Sequence, residues 1–145
     1  MSITEKRPLF TRRGGFHIRP LAEHLEEPIM VVRNITHNTL LADDCGHART
    51  FFARFRGLQL KRDLPKGCGL LITPCNSIHM FFMRFPIDAV FIDENRIVLY
   101  IKEGIKPWNI SKIIGRSRSV LELPAGTVSA TGTKPGDRLE FSNNA

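Results

Sequence analysis

Apolar positions are densest in residues 78–93, read as Ile-His-Met-Phe-Phe-Met-Arg-Phe-Pro-Ile-Asp-Ala-Val-Phe-Ile-Asp, where Arg84 and Asp88 are the only charges before the terminal Asp93. These sixteen residues, broken by Pro86, are too short and too charged to span a bilayer and cannot form one continuous helix. The spacing predicts two strand segments meeting at 83–86. Ile78, Met80 and Phe82 would face one side and His79, Phe81 and Met83 the other; after the proline, Ile87, Ala89 and Phe91 oppose Asp88, Val90 and Ile92. Both sides are apolar, which predicts a core segment covered on both faces.

The flanking pattern is mostly of period two. Residues 29–33 and 39–42 read as a hairpin with its turn at 34–38, residues 68–72 as a strand ended by Thr73-Pro74, and residues 96–101 as a strand with Ile97, Leu99 and Ile101 alternating against Val98, Tyr100 and Lys102. Residues 120–123 form a further strand, Pro124-Ala125-Gly126 a turn or helical turn, and 137–141 the last strand. The exception is Ala48, Phe51, Phe52, Phe55 and Leu58, whose spacing makes one stripe of a helix over about residues 46–59, with Asp44 as its N-cap. Residues 104–115, carrying Pro107-Trp108, have no period and read as a long surface loop. The fold class expected is mainly β: a single domain of sandwich or barrel-like antiparallel sheets over residues 29–145, with one short helix. Residues 1–28 read as a partly mobile N-terminal extension.

Charge changes the picture locally. A net charge of +7 favours acidic or phosphate-rich partners, and the excess is thickest where Arg49, Arg54, Arg56, Lys61, Arg62 and Lys66 face only Asp63. Of these, Arg49, Arg54 and Arg56 would lie mostly on the solvated face of the helix, where solubility alone accounts for them. Contact with nucleic acid is the sharper reading, although no helix-turn-helix, zinc-finger or RNP pattern accompanies it. Three cysteines, Cys45, Cys68 and Cys75, cannot all pair within one chain, which points to a reducing compartment; with no secretory h-region the expectation is cytoplasmic. No membrane partner, metal or cofactor is expected: Cys68, Cys75 and His79 do not match zinc spacing.

Five ordered motifs carry a resemblance. Arg56-Gly57-Leu58, Gly69-Leu70-Leu71-Ile72, Pro86-Ile87-Asp88-Ala89-Val90-Phe91-Ile92-Asp93, Leu121-Glu122-Leu123-Pro124-Ala125-Gly126 and Gly136-Asp137-Arg138 together resemble the domain of unknown function 192 family over roughly residues 36–141. The resemblance implies a compact, mainly β domain and no particular activity. Members often carry Trp-Met-Lys-Asn-Thr ahead of the Pro-Leu-Asp segment; here that stretch is His79-Met80-Phe81-Phe82-Met83, so its polar residues are replaced by apolar ones. The methionine common after Gly-Leu is Gln59.

Candidate chemistry is sparse. A carboxylate at Asp88, set among apolar neighbours, needs partners. Either it accepts backbone N–H bonds or pairs with Arg84, or it works as a general base beside His79. A lone histidine on an apolar strand is more often a hydrogen-bonded core residue, and no nucleophile-elbow pattern surrounds Cys75 to complete a triad. Trp108, near Lys106 and Lys112, either pins its own loop or stacks on a base, a sugar or a partner side chain. The leading expectation is a binding module for an unknown small molecule or protein, with Arg84, Asp88 and Trp108 as its ligand-binding residues around the Pro86 corner. The alternatives are a small hydrolase or transferase using His79 and Asp88, and nucleic-acid association through Arg49, Arg54, Arg56, Lys61 and Arg62.

Overall fold

The computed structural model describes residues 28–50, 54, 58–59 and 61–143. Seven strands form one sheet: β1 Met30–Asn34, β2 Thr39–Ala48, β3 Cys68–Ile72, β4 Ile87–Ile92, β5 Val98–Ile105, β6 Ser119–Pro124 and β7 Leu139–Asn143, in the order β5-β4-β6-β3-β2-β1-β7. A five-residue helix, α1 Thr127–Thr131, follows β6. Every pairing is antiparallel except β2 with β3, which run parallel from Asp44–Cys68 to Ala48–Ile72. Parallel neighbours need a long crossover, and residues 49–67 supply it. At Gly69 a Cβ would meet Leu123 Cδ2 at 3.2 Å and the Glu122 carbonyl oxygen at 3.3 Å, so glycine lets β3 approach β6 closely.

The sheet curls until its two edge strands meet. Val98 N–H donates to the Asp137 carbonyl at 2.8 Å, Gly136 N–H to the Val98 carbonyl at 2.8 Å, and Leu139 N–H to the Arg96 carbonyl at 3.0 Å, next to an Ile97–Arg138 bridge. The result is a half-barrel whose inner face receives side chains from every strand: Val32, Leu41, Leu71, Val90, Val98, Leu121 and Leu139 among them, with Val128 of α1 at one end. A second core lies on the outer face of β3, β4 and β6. There Leu70, Ala89, Phe91 and Val120 are covered by Leu58, Leu64, Ile78, Met80 and Met83. All six residues of β4 are buried, as a two-sided core strand requires.

The mainly β expectation matches this architecture, and the hairpin of β1 with β2, strand β3 and the alternation of β4 fall where the pattern puts them. Two expectations need correction. Residues 78–83 are not a strand: they make a single bridge, His79 to Ile110, turn at 81–82, and hold Phe82 at a φ of 63°. Of the helix expected at 46–59, Asp44 and residues 46–48 belong to β2. A bond from Arg54 N–H to the Thr50 carbonyl marks one helical turn, and positions 51–53 and 55–57, including Arg56, lie outside the described residues. A short helix among the described residues, α1, follows the Pro124-Ala125-Gly126 turn, where the sequence allows a turn or a helical turn. The extension expected at 1–28 lies outside them up to residue 27.

Candidate functional site: a paired-loop aromatic patch

Two loops are stitched together over the outer core. Ile78 N–H donates to Ser111 Oγ at 2.8 Å and Ser111 N–H returns to the Ile78 carbonyl at 2.9 Å. Met80 N–H donates to the Asn109 carbonyl and Trp108 N–H to the Met80 carbonyl, both at 2.7 Å, and Ile114 N–H donates to Asn76 at 2.9 Å. Ile78, Met80 and Met83 point inward as anchors. The residues between them point out. His79 and Phe81 rings lie 4.7 Å apart, Phe81 and Trp108 5.9 Å, and Phe82 and Trp108 5.1 Å, a continuous aromatic run. Phe82 is 56% exposed, Trp108 59%, Ile110 65% and Ile113 72%. Scattered exposed apolar residues need no explanation, but here Phe82 and Trp108 adjoin in one aromatic cluster, Ile110 is bridged to His79 of that cluster, and Ile113 lies further along the same loop.

Both central rings sit on unusual backbone. Phe82 and Trp108 have φ of 63° and 70°, a left-handed conformation that bulky L-residues rarely adopt. The charge on the two loops has one sign. Segments 76–87 and 106–119 contain Arg84, Lys106, Lys112, Arg116 and Arg118 and no aspartate or glutamate, and all five cations are exposed. The Lys112 ammonium lies 4.2 Å from the Tyr100 ring centroid, and Tyr100 in turn packs on Phe91 of β4.

The sequence-derived candidates fall in different places. Arg84 and Trp108 are exposed on these loops, with Pro86 exposed just beyond. Asp88 is 1% exposed and points to the inner face with Val90. Its Oδ1 accepts Gly104 N–H at 2.9 Å; its Oδ2 accepts Gly126 N–H at 3.1 Å and Val128 N–H at 3.0 Å. The carboxylate thereby caps α1, which has no side-chain cap of its own, and clamps the end of β5. His79 is exposed on the outer-face loop, so the structure does not bring His79 and Asp88 together. Arg49 and Arg62 are exposed, Arg54 and Lys61 half-buried, in or beside the crossover. Cys45 and Cys68 are buried thiols, and Cys68 Sγ donates to Asp44 Oδ2 at 4.0 Å; Cys75 is half-buried, donates to the Ser77 carbonyl at 3.0 Å, and is pushed up in pKa by burial. Among the described residues no three His, Cys, Asp or Glu side chains cluster as a metal-ligand set, and no helix is long and apolar enough to cross a membrane.

Residues 32–141 match the model of DUF192, described as an uncharacterized ACR. The chain belongs to the DUF192 family. A relative from Thermococcus sibiricus, called a UPF0127 protein, is 35% identical over 65% of this chain and 63% of its own. One from Pyrococcus furiosus, also a UPF0127 protein, is 28% identical over 75% of this chain and 96% of its own. This chain thus spans somewhat less than two thirds of the Thermococcus relatives it matches. Among solved structures, a protein of unknown function from Novosphingobium aromaticivorans has the same fold at a TM-score of 0.68 and 21% identity, covering 86% of this chain and 99% of that one. A structure from Sinorhizobium meliloti described as a putative transcription regulator has a TM-score of 0.64 at 27% identity, covering 79% and 92%.

The motifs of this DUF192 chain map onto the frame. The Pro86 to Asp93 motif is β4 and its flanks, the Leu121 to Gly126 motif is β6 running into α1, and Asp137 of the Gly136-Asp137-Arg138 motif accepts from Asn34 Nδ2 at 2.9 Å and Lys134 N–H at 2.9 Å. Two residues were missed by sequence reasoning. Phe82 reads as strand core until its left-handed turn is seen. Glu122 reads as an ordinary strand position, yet it is buried on the outer face between Leu70 and Ala89, its Oε2 has no hydrogen-bond partner, and burial pushes its pKa up to about 8. One signal for the patch was legible: the absence of acids from both loops.

Proposed function

We propose that this DUF192 chain is a binding module whose recognition surface is the patch around Trp108, bordered by Arg84 and Pro86. The observation that carries this reading is that Phe82 and Trp108 are both held on left-handed backbone yet left more than half exposed, 5.1 Å apart. Such a conformation costs on the order of 1 kcal/mol or more for a non-glycine residue and persists where the surroundings enforce it. Burial of these rings in the core does not offset that cost, because they face water. Asp88 has an indirect part in the reading: by holding Gly104 it fixes the base from which the 106–111 loop departs. The ligand that fits combines an apolar or flat surface with negative charge, matching the rings and the five unopposed cations.

The anionic aromatic dye 1-anilinonaphthalene-8-sulfonate tests this with the native full chain. Saturable dye binding is expected, accompanied by quenching of Trp108 fluorescence, and the Phe82→Ser, Trp108→Ser double variant should lose the dye while keeping the parent's thermal midpoint. Unchanged dye binding in that variant would place the site elsewhere. A collapse of its folding stability would make the patch a structural element.

A further inference from the structure

We infer that the patch docks onto the surface of a lipid bilayer rich in anionic headgroups, inserting Phe82, Trp108, Ile110 and Ile113 at the headgroup–acyl boundary. The inference rests on reading the patch as the recognition surface and names its partner. Its most exposed apolar side chains are aliphatic, Ile113 at 72% and Ile110 at 65%. An isoleucine has no face on which a nucleobase can stack, whereas hydrocarbon takes up any apolar side chain whatever its orientation. A tryptophan among them suits the interface, where an indole ring sits at headgroup depth.

Charge complementarity selects an anionic surface. The cations bracket the insertable residues along the chain: Arg84 two positions after Phe82, Lys106 two before Trp108, Lys112 between Ile110 and Ile113, and Arg116 three beyond Ile113. Their long stems allow the charged heads to remain at headgroup level while the apolar residues go deeper. No acid on either loop opposes the negative leaflet. The five backbone and hydroxyl hydrogen bonds between the loops already fix them in the free protein, so little further ordering is needed on docking. Lying on a bilayer requires no spanning helix, and none is found among the described residues; the inference departs from the expectation of no membrane partner, which rests on the lack of a spanning segment.

Trp108 is the chain's one tryptophan, so its fluorescence reports the patch directly. The full chain is mixed with vesicles of equal parts phosphatidylcholine and phosphatidylglycerol, or of phosphatidylcholine alone. Expected are a blue shift and quenching by brominated acyl chains with the mixed vesicles, and much weaker binding to the neutral ones. Lys106→Gln and Arg116→Gln should each weaken binding about fivefold, and Ile113→Ser about tenfold. If no vesicle moves the emission while the dye still binds, the bilayer is not the partner and the recognition surface survives. If the native chain also fails to bind dye, both fall. Equal binding to neutral and anionic vesicles overturns the inference. So does a single-stranded RNA oligonucleotide that shifts Trp108 emission where the anionic vesicles do not.

Discussion

Two acids one pairing step apart in neighbouring strands meet opposite treatment. Asp88 in β4 pairs with Leu123 of β6, and Glu122 in β6 pairs with Ala89 of β4, so the two carboxyl groups leave opposite faces of the same sheet. On the inner face Asp88 accepts three backbone N–H groups. On the outer face Glu122 lies among Leu70, Ala89 and Val120 with Oε2 unpartnered. The contrast extends beyond the acids. Inside the curl the buried Asn34 is satisfied by Asp137, Thr133 and two backbone groups, while over the outer core Phe82 and Trp108 sit on strained backbone facing water. On the inner face Asp88 and Asn34 have their polar groups met, as stability requires; the outer face tolerates an acid with an unpartnered oxygen and strained rings, which proteins keep at sites used for something else.

The largest break in that contrast comes from Asp88→Ala. Three N–H groups in the interior lose their acceptor at once, α1 loses its cap and β5 its clamp, which should cost on the order of 4 kcal/mol of unfolding free energy by denaturant titration. A loss under about 1 kcal/mol would show that water replaces the carboxylate readily and that the inner face is not closed as described.

Glu122 and Asp137 sharpen the comparison through pH, with opposite signs. Burial raises the Glu122 pKa from 4.5 to about 8, so the folded chain keeps a proton the unfolded chain releases. Its contribution to stability is full below the unfolded value and is lost as pH rises through about 8. For Asp137, burial alone would raise the pKa, but hydrogen bonds from Asn34 and the Lys134 N–H, together with His37 at 3.2 Å, lower it. That contribution is present above the ordinary carboxylate value and disappears as the solution is acidified through the depressed folded value. Glu122→Gln should therefore flatten the alkaline decline, stabilising the chain by on the order of 2 kcal/mol above pH ~8 while leaving the acid limb unchanged. An alkaline decline identical in the variant would mean that the carboxyl is ionised and hydrated in the fold.

Much of the frame was legible because period-two alternation is a local signal. Ile87, Ala89 and Phe91 against Asp88, Val90 and Ile92 divide between the outer and inner sides as the alternation assigns them. The need of Asp88 for company followed from desolvation alone, although its actual donors, Gly104, Gly126 and Val128, are 16 to 40 residues away and beyond any local reading. What failed was nonlocal. An alternating run such as Ile78 to Met83 becomes a strand only if an edge is available, and these backbone groups pair with residues 108–111 instead. The parallel pairing of β2 with β3 was likewise invisible, since a strand's direction relative to its neighbour depends on the crossover that follows it. Trp108 was singled out as a large aromatic in an aperiodic loop; Phe82, its neighbour across the gap, was hidden inside an apolar run.

The smallest effect tests whether strain at the patch is kept for binding. Phe82→Gly places at a φ of 63° the one residue that adopts it freely, and removes a ring that is 56% exposed. Relief of backbone strain raises stability, whereas glycine's greater freedom in the unfolded chain lowers it, and strain should win at this angle. The expected outcome is a gain of ~0.5 kcal/mol in unfolding free energy together with weaker dye and vesicle binding. A stabilised variant that binds less well is the signature of a surface held against its own conformational preference. If Phe82→Gly is instead less stable than the parent, the ring contributes packing against Trp108 that outweighs the strain, and the outer face is built for stability in the same way as the inner one.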